Sequence, residues 1–371
     1  MTTMKYEKIL LISFNSPFEN TGGGHYLRAL LSGYSKITKQ LTLAVKKNEK
    51  LIPQFGLNQN MSLVEFKRNT WLDFLGRVMG CSSFMIVYAR TIVKLMRHHD
   101  LVVIYSSRLG FFALAARWIA RRPTIIHYDN CETLLSLQRL RVSGVSLKGL
   151  VLIYDTFLNY ISEYICKITA SRRTFITSTD QEIDGGPGDV IPICFRRCHL
   201  SIASPNDYYI FTGSFDFEPN KTALKELVLI AKRHPNNQFV AAGRKLIDLR
   251  ISVPANLKII SDPDGYEMVE LIKNAFAYIS PVRLGSGMKT KVGEALCHGL
   301  PIIGTRSSFI GYEVLRDFDF MHMYESIEDI GYIFTQLSKK YPSRQHIANT
   351  FYRFYSTKTS DKMISDLVED S

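Results

Sequence analysis

The sequence predicts an α/β protein of two doubly wound, Rossmann-like domains, on three observations. Two strand, glycine loop and helix units lie far apart in the chain, one opening at Lys8 and one at Ala277. At 371 residues the chain is long enough for two domains of ordinary size, each with its own core. Its 46% apolar content is that of a globular protein, and no uninterrupted apolar run approaches the ~20 residues that span a bilayer.

Residues 8–14, KILLISF, read as a buried strand. The apolar run 9–12 is too short for a secretory segment, so none is expected. A loop leads to Thr21 and Gly22, Gly23 and Gly24, and Tyr26, Leu27, Leu30, Leu31 and Tyr34 then recur at helical spacing. A dinucleotide-binding reading fails, because the glycines are consecutive and the next strand, 41–45, ends in Lys46-Lys47 without an acidic ribose ligand. Residues 84–96, FMIVYARTIVKLM, combine apolar residues with Arg90 and Lys94. That composition suits a helix lying on a membrane, or a core helix whose cations reach solvent. Residues 137–148, with Arg139, Arg141 and Lys148, are a weaker membrane candidate. A late strand is expected over 173–179, and 190–193 lead into the linker.

In the second half, 239–243 (FVAAG) is a strand and 277–281 is a buried strand stopped by Pro281. The chain then opens into Gly285-Ser286-Gly287, and Lys291, Val292, Ala295 and Leu296 start a helix that His298-Gly299 ends. The free N–H groups and positive dipole end of such a helix favour an anion. Lys289 and Lys291 add cations there, and Glu294 would accept hydrogen bonds from ribose hydroxyls. Residues 343–371 carry Ile347, Phe351 and Phe354 at helical spacing, with the 351–355 cluster read as packing. The six cysteines show no metal-type pairing or disulfide density, which fits a reducing cytosol.

Residues 279–305, ISPVRLGSGMKTKVGEALCHGLPIIGT, resemble the nucleotide-sugar half of GT-B glycosyltransferases, in particular the family 4 group with its "P…G-x-G…K…EA-x-x-x-G-x-P" signature. The resemblance extends to 209–224 (YIFTGSFDFEPNKTAL), to 239–243 and to 275–281. It implies two doubly wound Rossmann-like domains facing across a cleft: an acceptor domain over 1–203, a donor domain over 204–342 and a helical segment over 343–371 that crosses back to the first. It also implies donor and phosphate contacts at Gly22, Gly23, Gly24, Gly213, Arg244, Ser286, Gly287, Met288, Lys289, Lys291 and Glu294. For Arg244 a solvated surface role is the competing reading, and for Gly22, Gly23 and Gly24 a structural hairpin or helix-cap role. The family needs no catalytic metal or cofactor beyond the nucleoside diphosphate sugar co-substrate, and Asp262-Pro263-Asp264 matches a loop near the nucleobase.

Residues 124–132, TIIHYDNCE, resemble the segment that often reads H-N-V-E in the polysaccharide branch, with Asp129 at the usual histidine position. A carboxylate there can accept a proton from an acceptor hydroxyl, or cap a loop. Glu132 reads as an acceptor-side contact or a helix-start charge. Many retaining members carry two glutamates eight positions apart; Glu294 is present, but Ser286 stands at its partner's place. Family membership thus points to retention and Asp129 to inversion.

Residues 1–203 hold 26 Lys and Arg against 14 Asp and Glu, and residues 204–371 hold 20 against 20. A basic first half points to an anionic partner, which in this resemblance is a membrane surface or lipid-linked acceptor and not nucleic acid; solubility alone is the competing reading. The implied function is transfer of a sugar, from a UDP-sugar, to a glycan or lipid-linked acceptor in cell-surface polysaccharide synthesis, by a cytoplasmic enzyme peripheral at the inner face of the membrane. A GT-B nucleotide-sugar epimerase and a non-catalytic nucleotide-sugar-binding subunit share the same donor residues.

Overall fold

The computed structural model describes residues 5–19, 21–47, 57–143, 147–200, 207–246, 252–285 and 287–371. They fall into two compact units, residues 1–194 with 357–371, and residues 195–356. The divisions lie at 194/195 and 356/357, not at 203/204 and 342/343.

In the first unit the elements follow as β1 (Lys8–Ser13), α1 (Gly22–Lys36), β2 (Gln40–Lys46), β3 (Met61–Phe66), α2 (Thr70–Val78), α3 (Ala89–Arg97), β4 (Leu101–Tyr105) and α4 (Gly110–Ala115). They continue as β5 (Thr124–His127), α5 (Glu132–Ser143), α6 (Leu147–Thr169), β6 (Arg172–Phe175), α7 (Ser178–Asp184) and β7 (Asp189–Val190). The sheet is parallel, in the order β3-β2-β1-β4-β5-β6-β7. Helices on both faces of such a sheet require central strands that are apolar throughout, and Ile9 to Ile12 and Leu101 to Tyr105 are fully buried. The expected strand over 173–179 ends at Phe175, because Thr177 caps α7 by accepting from the Asp180 amide.

Residues 84–96 form a 3-10 turn (Phe84–Tyr88) and α3, with Phe84, Met85, Ile92 and Met96 in the core beside Val102, Ile104 and Phe112. Their apolar surface therefore fills the unit's own interior, while Arg90, Lys94 and Arg97 stand exposed. This is the core-helix alternative.

In the second unit β8 (Tyr208–Ser214), α8 (Glu218–Arg233), β9 (Gln238–Arg244), β10 (Leu257–Ser261), α9 (Gly265–Asn274) and β11 (Ala277–Ser280) are followed by α10 (Thr290–Cys297). Then come β12 (Ile302–Gly304), β13 (Met321–Met323), α11 (Asp329–Lys339) and α12 (Arg344–Tyr355). Its parallel sheet runs β10-β9-β8-β11-β12-β13. Phe351 and Tyr355 of α12 stack on each other and lie against Tyr312, so this aromatic cluster is packing within the unit.

The last helix, α13 (Thr357–Glu369), belongs to the first unit. Ile364 sits against Gly33 of α1, where a Cβ would lie 2.4 Å from its Cδ1, and Lys36 pairs with Asp361. Among the described residues no helix is long and apolar enough to cross a membrane.

Candidate functional site

In an open parallel sheet, ligands bind beyond the carboxyl ends of the strands, where the strand order reverses. The second unit reverses between β8 and β11, and the first between β1 and β4. Most of the residues singled out from sequence lie at the carboxyl ends of the strands flanking these two places or on the loop and helix start that follow them.

Beyond β11, Gly285 and Gly287 take φ of +96° and +77°, left-handed values that side-chain-bearing residues rarely adopt. Ser286, between them, lies outside the described residues. Lys289 folds back over this loop, its Nζ donating to the carbonyls of Gly285 (3.0 Å) and Gly287 (2.8 Å). Met288 is buried, and Tyr312 donates from its hydroxyl to the Lys289 carbonyl at 2.9 Å. Among the described residues no side chain caps the start of α10, an arrangement that suits an anion at its first amides. Val292, Ala295 and Leu296 face inward, as their spacing predicts. One turn into the helix, Lys291 Nζ contacts both Glu294 oxygens, at 3.0 and 2.8 Å. Glu294 and Lys291 thus hold each other at the mouth of the loop, an arrangement their spacing of three permits but does not require.

Gly213 is the penultimate residue of β8, next to β11 in the sheet. A Cβ on Gly243 would fall 1.8 Å from the Gly213 carbonyl oxygen, so these backbones pass where only glycine fits. Arg244 is exposed and donates to Ser214 Oγ at 2.9 Å. Lys245 and Asp262 both hold positive φ, +60° and +53°, and the Lys245 amide donates to Asp262 Oδ1 at 3.2 Å. Two strained non-glycine residues at one sheet edge mark a place where local geometry is kept against its cost. Asp264 caps α9 by accepting from the Glu267 amide.

In the first unit the three glycines are the first turn of α1, not a loop ahead of it, because Thr21 caps the helix by accepting from the Gly24 amide. Their smallness has a packing cause as well. A Cβ on Gly24 would lie 2.2 Å from the Glu19 carbonyl oxygen, and one on Gly23 2.6 Å from Asn15 Nδ2. Tyr105, at the end of β4, donates to the Gly23 carbonyl at 3.2 Å. Gly24→Ala is therefore expected to destabilise the protein by about 1–3 kcal/mol, measurable as a lower urea midpoint; an unchanged midpoint would contradict this packing.

Asp129 follows β5 and is half-buried, and its Oδ1 is buried without a hydrogen-bond partner. Burial, reinforced by the charge of Glu132, pushes its carboxyl up to about 7, against the pull of Arg108 and a hydrogen bond from Ser106. Ser106 itself has φ of +102°. Glu132 is buried and paired with Arg108, Nε to Oε2 3.0 Å. It opens α5, whose start is capped by Glu163 of α6: Oε1 accepts the Glu132 amide at 2.7 Å. Sequence reading missed Arg108, Ser106 and Glu163. Nothing local marks them, since only the meeting of β4, β5 and α6 brings Arg108 and Ser106 to Asp129 and Glu163 to Glu132. His127 is fully buried between Tyr34 (2.8 Å) and Thr174, and burial lowers it to about 3, so it is a neutral core residue.

No family model matches the chain, and no curated protein matches it in sequence. Among solved structures it is similar to HepE of Anabaena in complex with UDP, with TM-score 0.68 and 14% identity over 98% of this chain and 100% of that one. The fold is GT-B. Sucrose-phosphate synthase from Thermosynechococcus elongatus gives TM-score 0.67 at 12% identity, over 98% of each chain. The lipopolysaccharide outer core galactosyltransferase WaaB, in its apo form, gives 0.62 at 13%, over 98% of this chain and 99% of that one. At such identities the likeness fixes the GT-B fold, and the chemistry rests on this chain's own residues.

Proposed function

We propose that this GT-B chain is a glycosyltransferase that moves a sugar from a UDP-sugar to a glycan or lipid-linked acceptor in cell-surface polysaccharide synthesis. In this reading it works in the cytoplasm at the inner face of the membrane, without a metal or organic cofactor. The observation that carries it is the left-handed glycine loop tied by Lys289 at the uncapped start of α10, beside Lys291 and Glu294. That combination suits a diphosphate and a ribose. HepE bound to UDP-glucose and the trehalose-6-phosphate structure bound to UDP-2-fluoro glucose, both similar in fold, support a UDP donor.

Transfer forms a bond from the acceptor oxygen to the anomeric carbon and breaks the bond from that carbon to the diphosphate, which leaves with both electrons. Lys289, Lys291 and the α10 amides face the charge that grows on the diphosphate, so they stabilise the transition state more than the ground state. Asp129 takes the acceptor hydroxyl proton, a task suited to a carboxyl that titrates near the working pH. A base in that role implies inversion at the anomeric carbon, which NMR of the product reads directly. The test is release of UDP from UDP-sugars with and without glycan or lipid-linked acceptors. Acceptor-dependent release supports a transferase, and sugar conversion without acceptor would indicate an epimerase.

Arg108 is assigned as a positioning residue, acting on Asp129 through charge. Arg108→Met is expected to move the rising limb of the pH–rate profile alkaline by about one unit, because the cation that favours the carboxylate is gone. An unmoved limb contradicts this role.

A further inference from the structure

We infer that the outer face of α6, continued by α2, is a docking surface for an anionic lipid bilayer. The inward face of α6 is itself partly polar: beside buried Leu158 and Cys166, Asn159 donates to Ser136 at 2.9 Å, Ser162 Oγ accepts the Gly110 amide at 2.9 Å, and Glu163 caps α5. Its solvent face, at helical spacing, is Leu150, Ile153, Phe157, Tyr160, Tyr164 and Ile168, each at least half exposed. Arg77 of α2 forks onto Asp155 at 2.7 and 3.0 Å, and Tyr154 donates to the Arg77 carbonyl, which sets α2 alongside. Trp71, Phe74, Val78 and Met79 then extend the same face, with Trp71 62% exposed.

With aromatic and aliphatic side chains of about 150–250 Å² each left half in solvent, this face amounts to roughly 1,000 Å², above the ~300–600 Å² of a typical monomer's largest patch.

Charge selects the occupant. Exposed Arg139 of α5 lies toward one end of the stripe, and Lys167 and Arg117 lie at the other, Arg117 donating to the Thr169 carbonyl beside exposed Trp118. Between Asp73 and Asp129 the chain has eight Arg and Lys and one acid, Asp100. A second copy would bring these cations against themselves, whereas an anionic headgroup layer meets them with opposite charge. Tyrosine and tryptophan at the water boundary of an apolar face suit the same layer.

This face supplies the membrane contact of the proposed function, but vesicle binding is read without nucleotide, so its failure leaves the donor site untouched. The experiment is co-sedimentation of the full chain with vesicles of phosphatidylcholine alone and with roughly a third phosphatidylglycerol. The wild type is expected to bind the anionic vesicles, and Ile153→Ser with Phe157→Ser to weaken binding about tenfold or more at an unchanged melting temperature. Tyr160→Ser with Tyr164→Ser is a second pair read in the same way. Arg117→Glu with Arg139→Glu is expected to weaken binding to anionic vesicles alone. Absence of vesicle binding, binding that both serine pairs leave intact, or a dimer dispersed by these pairs in a chain that ignores vesicles would overturn the inference.

Discussion

Lys289→Ala is expected to lower turnover by about 10²–10³-fold, the usual cost of removing one group that stabilises developing charge. Two losses combine. The cation at the loop disappears, and so do the hydrogen bonds from Nζ to the Gly285 and Gly287 carbonyls that hold the left-handed loop in place. Lys291→Ala is expected to cost less, because the Lys291 charge is already shared with Glu294. Steady-state kinetics on the two variants gives the order. A larger loss at Lys291 would mean that the loop is held by something other than Lys289.

Asp129→Asn is expected to reduce kcat by about 10²–10⁴-fold, the range for a lost general base, with UDP affinity unchanged. It is also expected to stabilise the protein at alkaline pH. The folded state holds the Asp129 proton up to about pH 7, whereas the unfolded carboxyl releases it near 3.8. The folded state thus binds more protons between those values, and wild-type stability falls as pH rises through that window. Asparagine removes this slope, so the variant gains over wild type between about pH 4 and 7 and keeps the gain above it, on the order of a few kcal/mol.

His127 acts in the opposite sense. Lowered to about 3 by burial, it stays neutral while the unfolded imidazole charges below 6.5, so its contribution is lost as pH falls from 6.5 toward 3. In the wild type these slopes oppose each other; in Asp129→Asn the acid loss stands alone and is steeper. Denaturant midpoints of both proteins at pH 5 and pH 8 test this, and a wild type more stable than the variant at pH 8 would contradict the buried, high-pKa carboxyl.

Much of the fold was legible because parallel strands buried on both faces leave uniform apolar runs, as in β1, β9 and β11. The glycine loop after β11 was legible for a local reason too: strand, glycines, lysines and helix occupy one stretch, so chain order and spatial order coincide. Around Asp129 they do not. Ser106 and Arg108 follow β4 and Glu163 lies on α6, and their influence depends on packing that no spacing encodes.

The segment 84–96 shows the same limit. Its mixture of apolar residues and cations suits a core helix and an interfacial helix equally, and only the burial of Ile92 and Met96 decides. The reverse holds for α6, where apolar residues lie outside while Asn159, Ser162 and Glu163 have partners within the unit.

The central claim is that the loop 281–289 and the start of α10 bind a nucleoside diphosphate. Thermal unfolding of the wild type with UDP, GDP, ADP and CMP tests it most directly, since a ligand at about 100 times its Kd stabilises the folded state by ~2.7 kcal/mol. A rise in melting temperature with UDP that Lys289→Ala abolishes is the expected result. A folded wild type whose melting temperature no nucleotide moves at millimolar concentration would contradict it.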